Sequence, residues 1–170
     1  KDIDLFKEMD QYQLQYIEQP LGEEDIVDHA VLQKEIETPV CLDESVVSYE
    51  AAEAAIRLGS CKVINIKSSR CGGVYEGKRI HDLCVAHGIP VWCGGMTELG
   101  IGRAQNVSFA SLPGFTELAH DVAAANRYFD EDITSPMVDI TDRCTIIVPD
   151  EDNGIRYEVD EKQIDKMEAG

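Results

Sequence analysis

The ends of four short apolar segments recur along this chain at nearly constant intervals. Glu18, Asp43, Lys67 and Cys93 close these segments, and successive ends lie 25, 24 and 26 positions apart. Each segment is β-branched or aromatic and is bounded by Gly, Pro or Ser, which is typical of a buried strand. The segments are 15–18, 39–43, 63–67 and 89–93. A strand and a helix repeated with this period predict an α/β fold with a parallel sheet or barrel.

The stretches between the predicted strands show helical patterns. Apolar residues repeat at helical spacing over 26–32, and Pro39 ends that pattern. Ser48 is typical of an N-cap and Gly59 of the residue that follows a helix, so a helix is predicted between them. Two further helices are predicted over about 74–87 and 97–111.

The repeat weakens after the fourth strand. A fifth strand is expected at 116–120, and beyond Asp121 the period is lost. The remaining tail contains one hydrophobic run, 145–148, and an acidic end, 160–170, which we expect to fray.

Alternation of side chains along the strands separates an apolar face from a polar one. One face carries Tyr16 and Glu18 of the first strand, Cys41 and Asp43 of the second, and Asn65 and Lys67 of the third. The other face carries Ile17, Val40, Leu42, Ile64 and Ile66. In a parallel barrel the functional groups lie at the carboxyl ends of the strands. We therefore expect Glu18, Asp43 and Lys67 to converge at one mouth.

These three charges predict a metal site with an adjacent base. Two neighbouring carboxylates repel each other unless a cation lies between them, and carboxylate oxygens suit a hard ion such as Mg²⁺. Beside such an ion the ammonium form of Lys67 is disfavoured, and a neutral amine can act as a general base. The metal would stabilise the anion formed when a proton next to a carboxylate is removed.

Each of the three residues also has a purely structural interpretation. Glu18 can be a loop carboxylate before Pro20, Asp43 can begin the following helix, and Lys67 can be a surface lysine in an acidic neighbourhood. Their regular spacing and shared face favour the functional interpretation of the set.

Composition excludes several classes of partner. The chain has 33 acidic residues and 15 Lys plus Arg, which gives a formal net charge of −18. Such a surface repels phosphate backbones, so a nucleic-acid partner is not expected. No segment approaches the ~20 apolar residues of a membrane helix, so no membrane partner is expected. The six cysteines form no C-x-x-C pair and no signal segment follows Lys1, which indicates reduced thiols and a cytoplasmic protein.

Several strings resemble the enolase superfamily, and more closely its muconate-lactonising subgroup. They are YIEQP at 16–20, LDES at 42–45 and NIKSSRCGG at 65–73. The segment 92–103, with 111–115 after it, is similar to o-succinylbenzoate synthases and N-acylamino acid racemases. The resemblance runs from Lys1 to about Pro136. It implies the C-terminal part of a (β/α)7β TIM-like barrel, with about five of eight strands and no capping domain.

The resemblance implies a role for individual residues. Residues at the positions of Glu18 and Asp43 bind Mg²⁺ in that family, and the residue at the position of Lys67 is the acid/base catalyst. Further implied residues are Glu44 beside the metal site and Arg70, Gly94, Gly95 and Met96 at the substrate. Arg70 resembles the arginine of members that racemise N-succinylamino acids, and pairing with a surface acid is its structural alternative.

Other parts of the family pattern do not occur in this chain. A third metal carboxylate and a Lys-x-Lys pair lie on preceding strands in the family. Five strands cannot close a barrel, so we expect this chain to be part of a longer protein and to be inactive alone. The resemblance implies that the full-length protein is a homo-oligomer. We expect the barrel portion over 1–121 and a C-terminal extension over 122–170, which packs on the barrel or on the missing cap.

The function implied by the resemblance is Mg²⁺-dependent proton abstraction next to the carboxylate of a small molecule. The reaction would be dehydration to o-succinylbenzoate, in menaquinone biosynthesis, or racemisation of N-acylamino acids. A non-catalytic remnant is an alternative, and so are a muconate cycloisomerase and a dipeptide epimerase. A doubly wound binding domain is disfavoured, because Gly72-Gly73 is too short for a phosphate-binding fingerprint.

Overall fold

A computed structural model describes residues 2–115, 117–148 and 157–168. Its helices are α1 (Asp2–Met9), α2 (Ile26–Glu35), α3 (Tyr49–Leu58), α4 (Val74–Ala86), α5 (Gly100–Ala110) and α6 (Glu161–Glu168). Its strands are β1 (Ile17–Glu18), β2 (Val40–Leu42), β3 (Val63–Ile66), β4 (Val91–Cys93), β5 (Thr134–Ser135) and β6 (Glu158–Val159). Short 3-10 helices span Asp10–Tyr12 and Ala125–Arg127.

The first four strands form one sheet in the order β1-β2-β3-β4. β1 and β2 pair in parallel with Glu18 opposite Cys41, and β2 and β3 pair in parallel with Leu42 opposite Ile64. Helices α2, α3 and α4 connect consecutive strands. The predicted parallel βα repeat is confirmed.

Local capping explains where the connecting helices begin and end. The Ser48 hydroxyl accepts a hydrogen bond from the backbone N–H of Ala51 at 3.2 Å, and Gly59 has a left-handed φ of 74°, as predicted. Asp25, which the sequence analysis did not single out, caps α2 by accepting from the N–H of Asp28 at 2.9 Å. These caps fix the loops that follow the strand ends.

The two faces of the sheet have the alternation that the sequence predicts. Val40, Leu42, Ile64 and Ile66 are completely buried on the apolar face. On the other face Cys41, Val63 and Trp92 form a cluster against which Tyr16 and Leu118 pack. The indole N–H of Trp92 donates to the Cys41 sulfur at 3.3 Å.

The chain divides into two compact units. The first comprises Lys1–Trp92 and Gly114–Ala119, and the second comprises Cys93–Pro113 and His120–Gly170. In the second unit Ala104 and Val107 of α5 pack against Val138. Gly100 begins α5 where a Cβ atom would lie 1.8 Å from the Thr134 hydroxyl, so only glycine fits there. A domain division at residue 121 stays a prediction.

The fifth strand expected at 116–120 is not formed by residues 117–120, and Thr116 lies outside the described residues. Asp121 instead makes a single parallel bridge with Gly94. The backbone N–H of Cys93 donates to the His120 ring at 3.0 Å, and burial lowers the pKa of that histidine. The Cys93 N–H thus donates to a side chain and not to the backbone carbonyl of a neighbouring strand. The pairing between this segment and β4 is therefore reduced to one bridge.

The acidic end of the chain is also more ordered than expected. Residues 161–168 form α6 rather than a frayed segment. The Asp160 carboxylate accepts from the backbone N–H of Lys162 at 3.0 Å, and Lys166 contacts Glu131 at 2.5 Å. A cap and a cross-segment ion pair therefore hold a helix that has little apolar surface. Among the described residues, none of the helices combines the length and apolarity needed to cross a membrane.

Candidate metal and acid/base site

Two of the charged residues predicted to converge are in direct contact at the carboxyl edge of the sheet. Asp43 follows β2 and Lys67 follows β3, and the Lys67 ammonium donates to Asp43 Oδ2 at 2.7 Å. The Asp43 side chain is 4% exposed and that of Lys67 is 15% exposed. The pair therefore lies in a largely dry setting, where its electrostatic interactions are stronger than in water.

Glu18 is held at the same edge through β3. The Asn65 amide nitrogen donates to Glu18 Oε1 at 2.9 Å. Asn65 is buried, and its side-chain oxygen accepts no hydrogen bond from the described residues. An unpaired acceptor at this depth is costly unless a cation or a donor reaches it.

Arg70 completes the cluster. Its guanidinium pairs with Asp43 Oδ1 and lies 4.0 Å from Glu44 Oε1. The turn that presents Arg70 is closed by its own backbone N–H, which donates to the carbonyl of Lys67 at 2.9 Å. Gly72 and Gly73 continue this turn with left-handed φ values of 94° and 116°. Arg70 thus contacts a buried carboxylate, whereas the structural alternative in the sequence was a surface acid.

Gln19 contacts the loop that carries Asp43, although the sequence analysis assigned no role to Gln19 or to Asn65. The Gln19 side-chain oxygen accepts from the backbone N–H of Asp43 at 2.9 Å. The sequence did place both residues near the predicted site, because Gln19 adjoins Glu18 and Asn65 shares a face with Lys67. Neither position specifies a partner on another strand.

The predicted substrate-binding turn lies in the second unit. A Cβ atom at Gly95 would approach the Asp121 carbonyl oxygen to 2.6 Å, so glycine is required there. The backbone N–H of Met96 donates to Glu98 Oε2 at 2.8 Å, and the Met96 side chain is exposed. The structure thus brings together Glu18, Asp43, Glu44, Lys67 and Arg70 within the first unit, and places Gly94, Gly95 and Met96 in the second.

The oxygen atoms of this cluster fit part of a Mg²⁺ shell. Hard oxygen donors are what Mg²⁺ prefers, and Glu18, Asp43 and the unpaired oxygen of Asn65 supply them. Both Asp43 oxygens are occupied by cationic side chains, so a metal ion would have to displace at least one of them. Within 2–115, 117–148 and 157–168, no cluster of three or more His, Cys, Asp or Glu residues is arranged to hold a metal.

The layer beneath the charged residues is apolar and chemically inert. Burial raises the pKa of the Cys41 thiol well above its usual range, and the negative charges of Glu18 and Asp43 add to that increase. A thiol so far from ionisation is a poor nucleophile. The chemistry of this site therefore falls to its carboxylates, its lysine and its arginine.

Comparison with known proteins gives consistent relatives. Residues 1–163 match the family described as enolase C-terminal domain-like. An o-succinylbenzoate synthase from Geobacillus stearothermophilus is 50% identical over 97% of this chain and 43% of its own length. An N-succinylamino acid racemase from Amycolatopsis sp is 56% identical over 76% of this chain and 35% of its own length. The crystal structure of an enolase superfamily member from Listeria innocua has a TM-score of 0.90, with 43% identity over 97% of this chain and 44% of that one.

Proposed function

Since this chain belongs to the enolase C-terminal domain-like family, we propose that the protein carrying it removes a proton next to a carboxylate group. The observation that carries the proposal is the 2.7 Å contact between Lys67 and Asp43 at the carboxyl edge of a parallel sheet. This edge is where barrel enzymes place their catalytic groups. The chain spans 43% of the length of the Geobacillus relative, so the activity is proposed for the intact polypeptide.

Lys67 is the proposed acid/base residue. Its side chain lies at the carboxyl edge of the sheet, mostly buried but 15% exposed. Asp43 fixes the position of that nitrogen, and the turn closed by the Lys67 carbonyl fixes its backbone. Lys67 would take the proton from, or return it to, one face of the substrate carbon, and the Lys-x-Lys pair that the family resemblance implies on preceding strands would do so on the opposite face.

Glu18 and Asp43 are the residues that would hold Mg²⁺. When bound, the ion supplies positive charge that stabilises the carbanionic form of the substrate carboxylate. Glu44, 43% exposed and 4.0 Å from Arg70, would share the charge of that arginine with Asp43. When Asp43 binds a cation, the Arg70 guanidinium would turn toward the substrate.

Two reactions of this class are proposed. Dehydration to o-succinylbenzoate, in menaquinone biosynthesis, is supported by a synthase that is 50% identical over nearly the whole chain. Racemisation of N-succinylamino acids is supported by a racemase that is 56% identical over a shorter part, and by Arg70 in the cluster. The substrate is a small-molecule carboxylate, and cytoplasmic location and homo-oligomeric assembly stay predictions.

The test is hydrogen exchange at the substrate carbon. We expect Lys67→Ala in the intact protein to slow exchange of the Cα proton of an N-succinylamino acid in D₂O by about 10²- to 10⁴-fold, the range for loss of a general acid/base. Proton NMR follows the exchange. Asp43→Asn should instead weaken Mg²⁺ binding, measured by calorimetry.

Lys62 provides a matched control. It is an exposed lysine just before β3, at the end of the strand opposite to Lys67, so Lys62→Ala should leave both exchange and metal affinity unchanged. Exchange retained by Lys67→Ala would remove Lys67 from the mechanism. Metal affinity unchanged in Asp43→Asn would remove Asp43 from the ligand set.

A further inference from the structure

Gln19 directly follows β1, in a conformation that is uncommon for its residue type. Its φ is 38°, in the left-handed region that favours glycine, and it directly follows Glu18. Such conformations persist only where the surrounding structure enforces them, and they concentrate at functional sites. The contacts of Gln19 show what enforces this one.

Gln19 forms hydrogen bonds with the residues before and after Asp43 as well as with Asp43 itself. Its backbone N–H donates to the carbonyl of Cys41 at 2.8 Å, two residues before Asp43. Its side-chain oxygen accepts from the backbone N–H of Asp43 at 2.9 Å and from that of Ser45 at 3.3 Å. Its side-chain nitrogen donates to the Ser45 hydroxyl at 2.8 Å. One residue adjacent to Glu18 thus holds the whole turn that carries Asp43.

The Ser45 hydroxyl extends the connection back to the first loop. It donates to the carbonyl of Glu23 at 2.6 Å, so the β1–α2 and β2–α3 loops are joined through Gln19 and Ser45. The loop after Glu18 is held from its other end as well, because the Leu21 N–H donates to the buried His29 ring at 3.2 Å. Neither loop can shift without breaking hydrogen bonds to the other.

We propose that Gln19 is a positioning residue that sets the separation and orientation of Glu18 and Asp43 for a divalent cation. The inference rests on the proposed function, because it takes these two carboxylates as the metal ligands. A cation needs its ligands at a fixed spacing, and small Mg²⁺ tolerates little deviation. Groups that orient metal ligands typically change affinity by about 10- to 100-fold when they are removed.

The test is a titration of the intact protein with Mn²⁺, followed by electron paramagnetic resonance of the free ion. Gln19→Leu keeps a side chain of similar length but can neither accept from Asp43 nor donate to Ser45. We expect its dissociation constant for Mn²⁺ to rise by about 10- to 100-fold. Gln13→Leu is the matched control, since Gln13 is an exposed glutamine with a left-handed φ of 50°, and its affinity should be unchanged.

Two further variants separate positioning from general stability. Gln19→Asn retains a neutral amide that can accept from the Asp43 N–H, so its Mn²⁺ affinity should fall less than that of Gln19→Leu even if its melting temperature falls. Ser45→Ala removes one partner of Gln19 and should weaken binding less than Gln19→Leu does. If Gln19→Leu does not fold, the Mn²⁺ affinities of these two variants, each compared with that of the unchanged protein, decide the question.

The outcomes distinguish this inference from the proposed function. Mn²⁺ binding that Asp43→Asn weakens and Gln19→Leu leaves unchanged would overturn the positioning role alone. Affinities that simply follow melting temperature across all variants would also overturn it. A protein that binds no Mn²⁺, or binds it without dependence on Asp43, would overturn the metal site and this inference with it.

Discussion

The two faces of the central strands are almost equally buried, yet they do different work. Counted over whole residues, Val40, Leu42, Ile64 and Ile66 on the apolar face are 0% exposed. On the polar face Asn65 is 1% and Asp43 is 3% exposed by the same measure. The apolar side chains contribute stability by leaving water. The polar side chains lose their hydration on burial, which costs free energy. Their hydrogen bonds and ion pairs within the protein offset only part of that cost. Burial alone therefore does not distinguish a core from a site; the partners of each side chain do.

This contrast predicts that stability and metal binding can be separated by mutation. A change on the apolar face should act on the free energy of unfolding. A change on the polar face should act on ligand affinity and can leave stability unchanged or higher, because replacing buried polar groups with apolar ones of similar size is often neutral or stabilising.

The largest expected effect is on the apolar face. Leu42→Ala creates a cavity in a fully buried position and should lower the free energy of unfolding by about 2–5 kcal/mol. Urea denaturation of the intact protein measures it. Leu58→Ala, at a leucine that is 45% exposed, should change stability by only about 0.5 kcal/mol. Equal losses in the two variants would contradict the assignment of the core.

An intermediate effect is expected on the polar face. Asn65→Leu removes the donor to Glu18 and also the unpaired buried oxygen, so Mg²⁺ affinity should fall about tenfold. The free energy of unfolding should not fall, because a buried acceptor without a partner is eliminated. Calorimetric titration and urea denaturation give the two values. A stability loss like that of Leu42→Ala would make Asn65 a packing residue.

The smallest effect is expected at the opposite, amino edge of the sheet. Asp10 accepts from the backbone N–H groups of Glu37 and Thr38 at 2.9 and 3.0 Å, just before β2. Hydrogen bonds from the Thr38 side chain and from these N–H groups lower the pKa of Asp10. A carboxyl whose pKa is lowered by folding stabilises the protein above its unfolded pKa of about 3.9, and the contribution is lost as the pH falls through the lower folded value.

Asp10→Asn should therefore be less stable than the unchanged protein at pH 7, and the difference should narrow as the pH falls below about 4. Urea denaturation at several pH values checks this. Because Asp10 lies away from the carboxyl edge, its loss should leave Mg²⁺ affinity unchanged. A difference in stability that is constant with pH would show that ionisation of Asp10 does not contribute.

Much of the fold follows from local sequence. The four strands, their parallel pairing and the Ser48 and Gly59 caps were predictable, because apolar runs, capping residues and glycine act over a few positions. The fifth strand was wrong because His120 takes a backbone N–H of β4. The fraying predicted for 160–170 was wrong for residues 160–168, because Asp160 caps a helix there that the acidic composition did not suggest; residues 169–170 lie outside the described residues.

For the site, the sequence determined which residues stand at the strand ends and which face they share, since the strand period of two is a local property. Only the tertiary structure decided their partners. Gln19 reaches a residue 24 positions away, and Asn65 one 47 positions away. Such contacts depend on strand register and on the left-handed turn at Gln19, and neither is encoded in the spacing of charged residues. The candidate ligands are thus visible in the sequence, whereas the groups that hold them in place appear only when the chain is folded.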